Sequence, residues 1–169
     1  MQIETTHLWL LPPRPEDIEA VAKLYSDPEV VQFLKNGKSR TLEETKANLE
    51  WHIQHWRKYG FGYWTMLDKK SSEFIGRGGL FWDNLSEVNI GYVLNKAWWG
   101  KGIATELVLA SLEFGFKERG FERIVAVIHP ENSASQRVVK KAGFQYEKTV
   151  YHNNQDEFYF VLTKEVFLR

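Results

Sequence analysis

Cysteine is absent from all 169 residues. That excludes disulfides, thiol nucleophiles and thiolate metal sites together. A dominant charge is missing as well: 22 Lys and Arg face 22 Asp and Glu, for a formal net charge of zero. Such a balance argues against a nucleic-acid binder that relies on a strongly basic body, and leaves only a local basic groove open. No apolar stretch reaches the roughly 20 residues that span a bilayer, so no membrane span is expected. The opening MQIETTHLWLLPP carries neither a basic region nor a long apolar one, so no secretory signal is expected and the cytoplasm is the default. Internal repeats, low-complexity tracts and long linkers are also missing. The expectation is one domain over residues 1–169.

What is there is apolar and aromatic. Hydrophobic residues make up 43% and aromatics 15%, with seven tryptophans, which is the composition of a globular chain with a real core. HLWLLPP reads as a strand that stops at its prolines, and a helix opens at Pro15 with Glu16 and Asp17 in its positive first turn. SDPEVVQFL predicts a short second helix. TLEETKANLEWHIQHWRKYG predicts a third, with Thr41 and Glu44 as a capping box, Leu49, Ile53 and Trp56 at helical spacing, and Gly60 as its stop. FGYWTMLD, EFIGRGGLFW and EVNIGYVL are strand-like and are separated by KKSS and DNLS, links short enough to imply an antiparallel meander.

A helix ending at Gly120 follows, then RIVAVI, a β-branched run of the kind found in strands buried on both faces. NSASQRVVKKA is a last helix, and FQYEKTVY and DEFYFVLT are closing strands. The order β-α-α-α-β-β-β-α-β-α-β-β is that of an α/β (α+β) domain. Its central sheet is mixed and mostly antiparallel, with about seven strands and helices on its faces.

The stretch NKAWWGKGIATE sits between a predicted strand and a predicted helix. The first N–H groups of a helix lack intrahelical partners, and the macrodipole adds positive charge there. Gly100 and Gly102 keep β-carbons away from those amides, Ala104 and Thr105 keep the next turn small, and Trp98 and Trp99 anchor the loop against the core. Together these make a phosphate or pyrophosphate cradle. Two other readings compete. The glycines can serve only a tight turn, and Gly100, Gly102 and Thr105 imitate the dinucleotide fingerprint, with Glu131 as the ribose acid. That fingerprint belongs to the first turn of a parallel sheet, whereas antiparallel hairpins precede it here, so the dinucleotide reading is set aside.

Three segments in order, HLWLLPPRPEDIEAVAKLYSDPEVVQFL, NIGYVLNKAWWGKGIATELVLASLEFGF and RIVAVIHPENSASQRVVKKAGFQYE, resemble the GNAT superfamily of acetyl-CoA-dependent N-acetyltransferases. Within it they are most similar to the Rim-type branch, which acetylates the N-termini of ribosomal proteins. The resemblance implies acetyl-CoA as cosubstrate, a primary amine as acceptor and no metal. In the family's pyrophosphate loop, Q/R-x-x-G-x-G/A, the positions are filled by Trp99, Gly100, Lys101, Gly102, Ile103 and Ala104, and Trp99 departs from the usual Gln or Arg. Tyr92, Val93 and Leu94 correspond to the strand segment that pairs with the pantetheine arm. Asn132 and Ser135 match the N-x-x-S start of the later helix beside that arm. Arg137, Lys140 and Lys141 either favour CoA phosphates or form a solvated helix face.

Direct acetyl transfer needs a neutral amine, proximity, oxyanion stabilisation and a proton for the leaving thiolate. Glu87 and Asn89, two apart, are expected on one sheet face. The branch often has Glu where this chain has Asn89, and asparagine accepts no proton, so Asn89 orients a water or holds substrate. Glu87 is then either the base, acting through water, or a solvent-facing strand carboxylate. The tyrosine that many members carry seven residues after the asparagine is Val139 here, which leaves Ser135, Tyr146, Tyr151 or water as the acid. These departures keep a non-catalytic acyl-CoA-binding module as the alternative to an enzyme.

Three further features have simpler readings. His52 and His55 read as surface histidines more readily than as metal ligands, since no third ligand is near in sequence. GRGG at Gly76 to Gly79 reads as a close backbone approach or bulge. Trp51, Trp56, Tyr59, Phe61, Tyr63 and Trp64 either line an acceptor cleft or pack a helix on the sheet. A homodimer is compatible with a domain of this size.

Overall fold

The computed structural model describes every residue except Lys35, Asn36, Asn84, Leu85 and Asn153, and describes His152 by its backbone alone. Its strands are β1 (Ile3–Glu4), β2 (Leu8–Leu11), β3 (Tyr63–Asp68), β4 (Phe74–Trp82), β5 (Val88–Leu94), β6 (Arg123–Ile128), β7 (Gln145–His152) and β8 (Gln155–Thr163). Its helices are α1 (Ile18–Tyr25), α2 (Pro28–Val31), α3 (Leu42–Tyr59), α4 (Ile103–Glu113), α5 (Ser133–Lys141) and α6 (Lys164–Phe167). The strands form one sheet in the order β1-β2-β3-β4-β5-β6-β8-β7. This is the mixed, mostly antiparallel α/β architecture expected, with eight strands in place of about seven. The addition is β1, two residues paired antiparallel with Trp9 and Leu10 and too short to show any periodicity.

The chain divides into two compact units, Met1–Gly79 with Tyr92–Ile103, and Leu80–Gly91 with Ala104–Arg169. In the first, Pro15–Asp17 form a single 3₁₀ turn before α1, and Asp17 accepts from the Arg14 amide at 2.9 Å and from the Thr65 hydroxyl at 2.7 Å. Asp27 caps α2 through the Glu29 amide. Thr41 and Glu44 bond reciprocally as the capping box of α3, at 3.1 and 2.9 Å. Val21, Leu24, Tyr25, Val31 and Val93 form one buried cluster, with Phe74 packed against it. β2 pairs with β3 and β3 with β4, both antiparallel, as the hairpin links predict. The DNLS link includes Asn84 and Leu85, which lie outside the described residues.

The second unit holds the β-α-β crossover. β5 pairs parallel with β6 through Asn89 and Val125, and β6 pairs antiparallel with β8 from Arg123–Thr163 to Ile128–Phe158. The buried run Ile124, Val125 and Ala126 matches the pattern read from RIVAVI. Leu107, Val108 and Leu112 are buried on α4, which continues into a wider π-helical turn over Phe114–Glu118. Among the described residues no helix is long and apolar enough to cross a membrane.

Candidate active site

The loop after β5 is pinned before it opens. The Asn95 amide donates to the Ile75 carbonyl at 2.8 Å, and its side chain donates to the Phe74 carbonyl at 3.2 Å. Lys96–Trp98 then make one 3₁₀ turn. The tryptophans do not anchor by burial as expected: Trp99 is 40% exposed and Trp98 half-buried. Trp99 instead donates its indole N–H to the Leu94 carbonyl at 3.0 Å, closing the loop onto the end of its own strand. That bond ties the partly covered ring to the end of β5.

Gly100 and Gly102 follow with φ of +73° and +78°, a region closed to most side chains. A β-carbon built on either would meet no atom within 4 Å. Among the described residues the N–H groups of Gly100, Lys101 and Gly102 have no main-chain acceptor. The first amides of α4 follow directly, and these lack intrahelical partners by position. The loop therefore presents open space and unspent donors where an anion fits, with Lys101 exposed and its ammonium 5.2 Å from the Trp98 ring. Ile103 is buried, while Ala104 and Thr105 are half-buried.

In the first unit, β4 and the segment Tyr92–Leu94 approach very closely. A β-carbon on Gly76 would lie 2.1 Å from the Val93 carbonyl oxygen, so only glycine fits there. The close backbone approach read from GRGG is what the structure contains.

The remaining candidates belong to the second unit. Glu87 lies one residue before β5, with a partner on each oxygen. The Tyr159 hydroxyl donates to Oε1 at 2.6 Å and the Arg123 Nε donates to Oε2 at 3.2 Å. Arg123 also donates to Glu147 at 3.2 Å. Burial first, and then the bond to Glu87, push the Tyr159 hydroxyl up to about 12. Glu87 is thus a held carboxylate, and Tyr159 is a site neighbour that sequence reasoning missed: the two are 72 positions apart. Asn89 is buried, and its side-chain N–H donates to the Asp83 carboxylate.

Asn132 Oδ1 accepts from the Ser135 amide at 3.1 Å, so the N-x-x-S pattern is the N-cap of α5. Val139 is buried and serves the core, so it offers no proton donor. Lys140 is exposed, with its ammonium 5.8 Å from the Phe160 ring. Tyr146 donates to or accepts from the Thr149 hydroxyl at 2.6 Å, and Tyr151 is exposed.

The histidines of α3 correct the surface reading, because His52 and His55 are only 6% and 5% exposed. His52 stacks on Tyr63 at 4.4 Å, and His55 Nδ1 bonds the Phe61 carbonyl at 2.8 Å. Burial, then the nearby Arg77, His55 and Arg40, hold His52 well below its ordinary value. Phe61 and Trp64 are core residues, while Trp51 is half exposed. Among the described residues no three His, Asp or Glu side chains gather as a metal site.

A sequence model of the acetyltransferase (GNAT) domain matches residues 7–145. The chain belongs to that family and is an acetyltransferase. It is 30% identical to the uncharacterized N-acetyltransferase YnaD of Bacillus subtilis over 98% of both chains. It is 34% identical to the probable N-acetyltransferase YjcK of the same organism, covering 68% of this chain and 61% of that one. A GNAT-family acetyltransferase from Bacillus anthracis superposes with a TM-score of 0.83 at 28% identity, over 98% of this chain and 99% of that one.

Proposed function

We propose that this acetyltransferase takes acetyl-CoA on the loop Trp99–Thr105 and passes the acetyl group directly to a primary amine held in the same ternary complex. The single observation that carries this reading is the pair of left-handed glycines, Gly100 and Gly102, open to solvent beside amides with no acceptor. Those amides and the start of α4 suit a diphosphate, and the main chain of Tyr92–Leu94 suits an extended arm laid along it as an added strand. Bound acetyl-CoA would supply the acetyl group as a thioester. This chain would supply position, hydrogen-bond donors and a path for the amine's proton.

Asn132, Ser135 and Lys140 are proposed as cofactor-side residues on the strength of the family pattern. Glu87 and Asn89 are proposed on the acceptor side. A proton taken by Glu87 would arrive at an oxygen already receiving Tyr159 or Arg123, so Tyr159 belongs to any path that uses Glu87. The fold is also that of the RimL acetyltransferase of ribosomal protein L7/L12, at a TM-score of 0.82 and 19% identity. That likeness agrees with a Rim-type reading, in which a protein α-amine is the acceptor. An α-amine titrates near ~8 and a lysine amine near ~10.4, so the former reaches its reactive neutral form with less help. A single domain over the whole chain is part of the same proposal.

Calorimetry with CoA is the test. Gly102→Glu places a carboxylate in the cradle and is expected to weaken binding about a hundredfold or more, since charge-assisted contacts are each worth about 1.5–3 kcal/mol. Gly102→Ala carries the same left-handed backbone strain without the charge, and is expected to lose less than Gly102→Glu. Equal affinity in all three proteins would remove the site. Amine-dependent release of free CoA thiol by the wild type then tests the transfer step itself.

A further inference from the structure

Two cations of the first unit share one buried ring. The guanidinium carbons of Arg40 and Arg77 lie 4.1 and 4.8 Å from the centroid of Tyr25. Arg77 is 3% exposed and also lies 5.7 Å from the ring of Tyr63, on which His52 stacks. Thr45 and His52 stand two turns apart on one face of α3, both buried.

The cluster's hydrogen bonds do not close. Arg77 donates Nε to the Tyr25 hydroxyl at 3.0 Å and one terminal nitrogen to Asn48, and its Nη1 is buried without an acceptor. Among the described residues Arg40 Nη1, Thr45 Oγ1 and His52 Nδ1 are buried without partners too. Among the described residues no carboxylate lies within ion-pair distance of either arginine, and the one that acts on the cluster is the exposed Glu44, which feels Arg40 only as its weakest influence. The aromatic neighbours do not supply the missing charge, because burial raises the Tyr63 hydroxyl far above its ordinary value and keeps it neutral. Ring faces attract cations but leave N–H donors unspent. A buried, uncompensated guanidinium is costly and persists where something else repays it. Two planar forks, a hydroxyl and an imidazole are a donor set that matches a carboxylate.

The place of Arg77 links this set to acetyl transfer. It follows Gly76 on β4, where an added β-carbon would collide with the Val93 carbonyl oxygen of the segment proposed to take the cofactor's arm. Arg40 is half-buried and so the least enclosed of the four.

We propose that Arg40, Arg77, Thr45 and His52 form a carboxylate-binding site for the acceptor, so that the preferred amines are those that also carry a carboxylate. The acceptor assignment rests on the acetyl-transfer reading above; the anion site does not. Polycationic amines are disfavoured by the same two charges. A spermidine N-acetyltransferase from Vibrio cholerae shares the fold at a TM-score of 0.80 and 16% identity, so the fold alone does not settle which amines are accepted.

The first experiment is thermal melting of the full chain with sodium acetate against sodium chloride at matched ionic strength. Acetate is expected to raise the melting temperature saturably in the wild type, and not in Arg77→Met or Arg40→Gln. A shift equal to that of chloride, or one that survives in both variants, overturns the site. Arg40→Gln keeps the test usable if Arg77→Met fails to fold. The second experiment compares glutamate, a peptide beginning with aspartate, and spermidine as acceptors. KM for the two carboxylate-bearing amines is expected to rise about tenfold or more in Arg40→Gln, with kcat changed less than about twofold. The lower of those two KM values tells whether the carboxylate belongs to a free amino acid or to a peptide. Spermidine accepted as well as either, or an unchanged KM in the variant, overturns the acceptor assignment. Failure of CoA to bind removes the acetyl-transfer reading by itself and leaves the acetate melt to judge the anion site.

Discussion

Arg77 on β4 and Arg123 on β6 both stand on strands beside tyrosines, yet their charges are met in opposite ways. Arg123 in the second unit reaches two carboxylates, Glu87 and Glu147, and Glu87 also accepts the Tyr159 hydroxyl. Burial works to lower the Arg123 value, and its bonds to Tyr159, Glu147 and Glu87 outweigh that and hold it above the ordinary one. Arg77 in the first unit is more deeply buried and has only neutral partners. One network is closed in charge and hydrogen bonds, the other open in both. A closed network fixes local structure without help, while an open one leaves donors that the proposed carboxylate would use.

The largest expected effect tests that contrast. Arg123→Met leaves Glu87 and Glu147 facing each other without their cation. It is expected to cost about 1–2 kcal/mol in urea unfolding, discounted because Arg123 and Glu147 are 38% and 40% exposed. Arg77→Met removes a buried charge that lacks a counter-ion, which offsets the lost bonds to Tyr25 and Asn48, and its loss of stability in chloride buffer is expected to be smaller than that of Arg123→Met. A loss on Arg77→Met equal to that on Arg123→Met would mean the first-unit arginine is compensated after all.

How much of this was legible follows from the range of each signal. The Thr41–Glu44 box, the Asn132 cap and the β5–α4–β6 crossover depend on residues close in sequence, and the order of elements was readable from them. Tyr159 reaches Glu87 across 72 positions and Arg77 reaches Tyr25 across 52, and no local spacing encodes such pairs. The histidines left a readable trace. His52 is three residues after Leu49, and His55 neighbours Trp56, so both fall near the apolar stripe of α3, and their burial was available from periodicity. Trp99 shows the opposite limit. Its size suggests full burial, yet it stays 40% exposed and bonds its indole to a carbonyl.

A smaller effect sharpens the comparison through pH. The unfolded chain protonates His52 near 6.5, while the folded chain holds it well below, through burial first and then Arg77, His55 and Arg40. The unfolded state therefore binds more protons as pH falls below about 6.5. Stability is fully present above that value and is lost toward the folded one, at up to about 1.4 kcal/mol per pH unit for one histidine. His55 adds to the slope, since burial lowers it and its bond to the Phe61 carbonyl only partly offsets that. His52→Gln is expected to flatten the dependence between about pH 6.5 and 5.5. An unchanged slope in unfolding free energy would place the titration elsewhere.

The smallest effect compares one hydroxyl in each network. Tyr159→Phe takes the donor from Glu87 Oε1 in the closed network and is expected to lose about 1 kcal/mol. Thr45→Val removes a buried hydroxyl that has no partner, at nearly constant volume. Folding therefore gives up no bond, and the change is expected to stay within about 0.5 kcal/mol, on the stabilising side if anywhere. The same variant should weaken the acetate-dependent rise in melting temperature, because an oxyanion would lose one of its donors. Paired urea titrations, with and without acetate, read both effects on one protein. A Thr45→Val variant that is clearly destabilised without acetate would show that its hydroxyl already has a partner and that the open network is closed at that point.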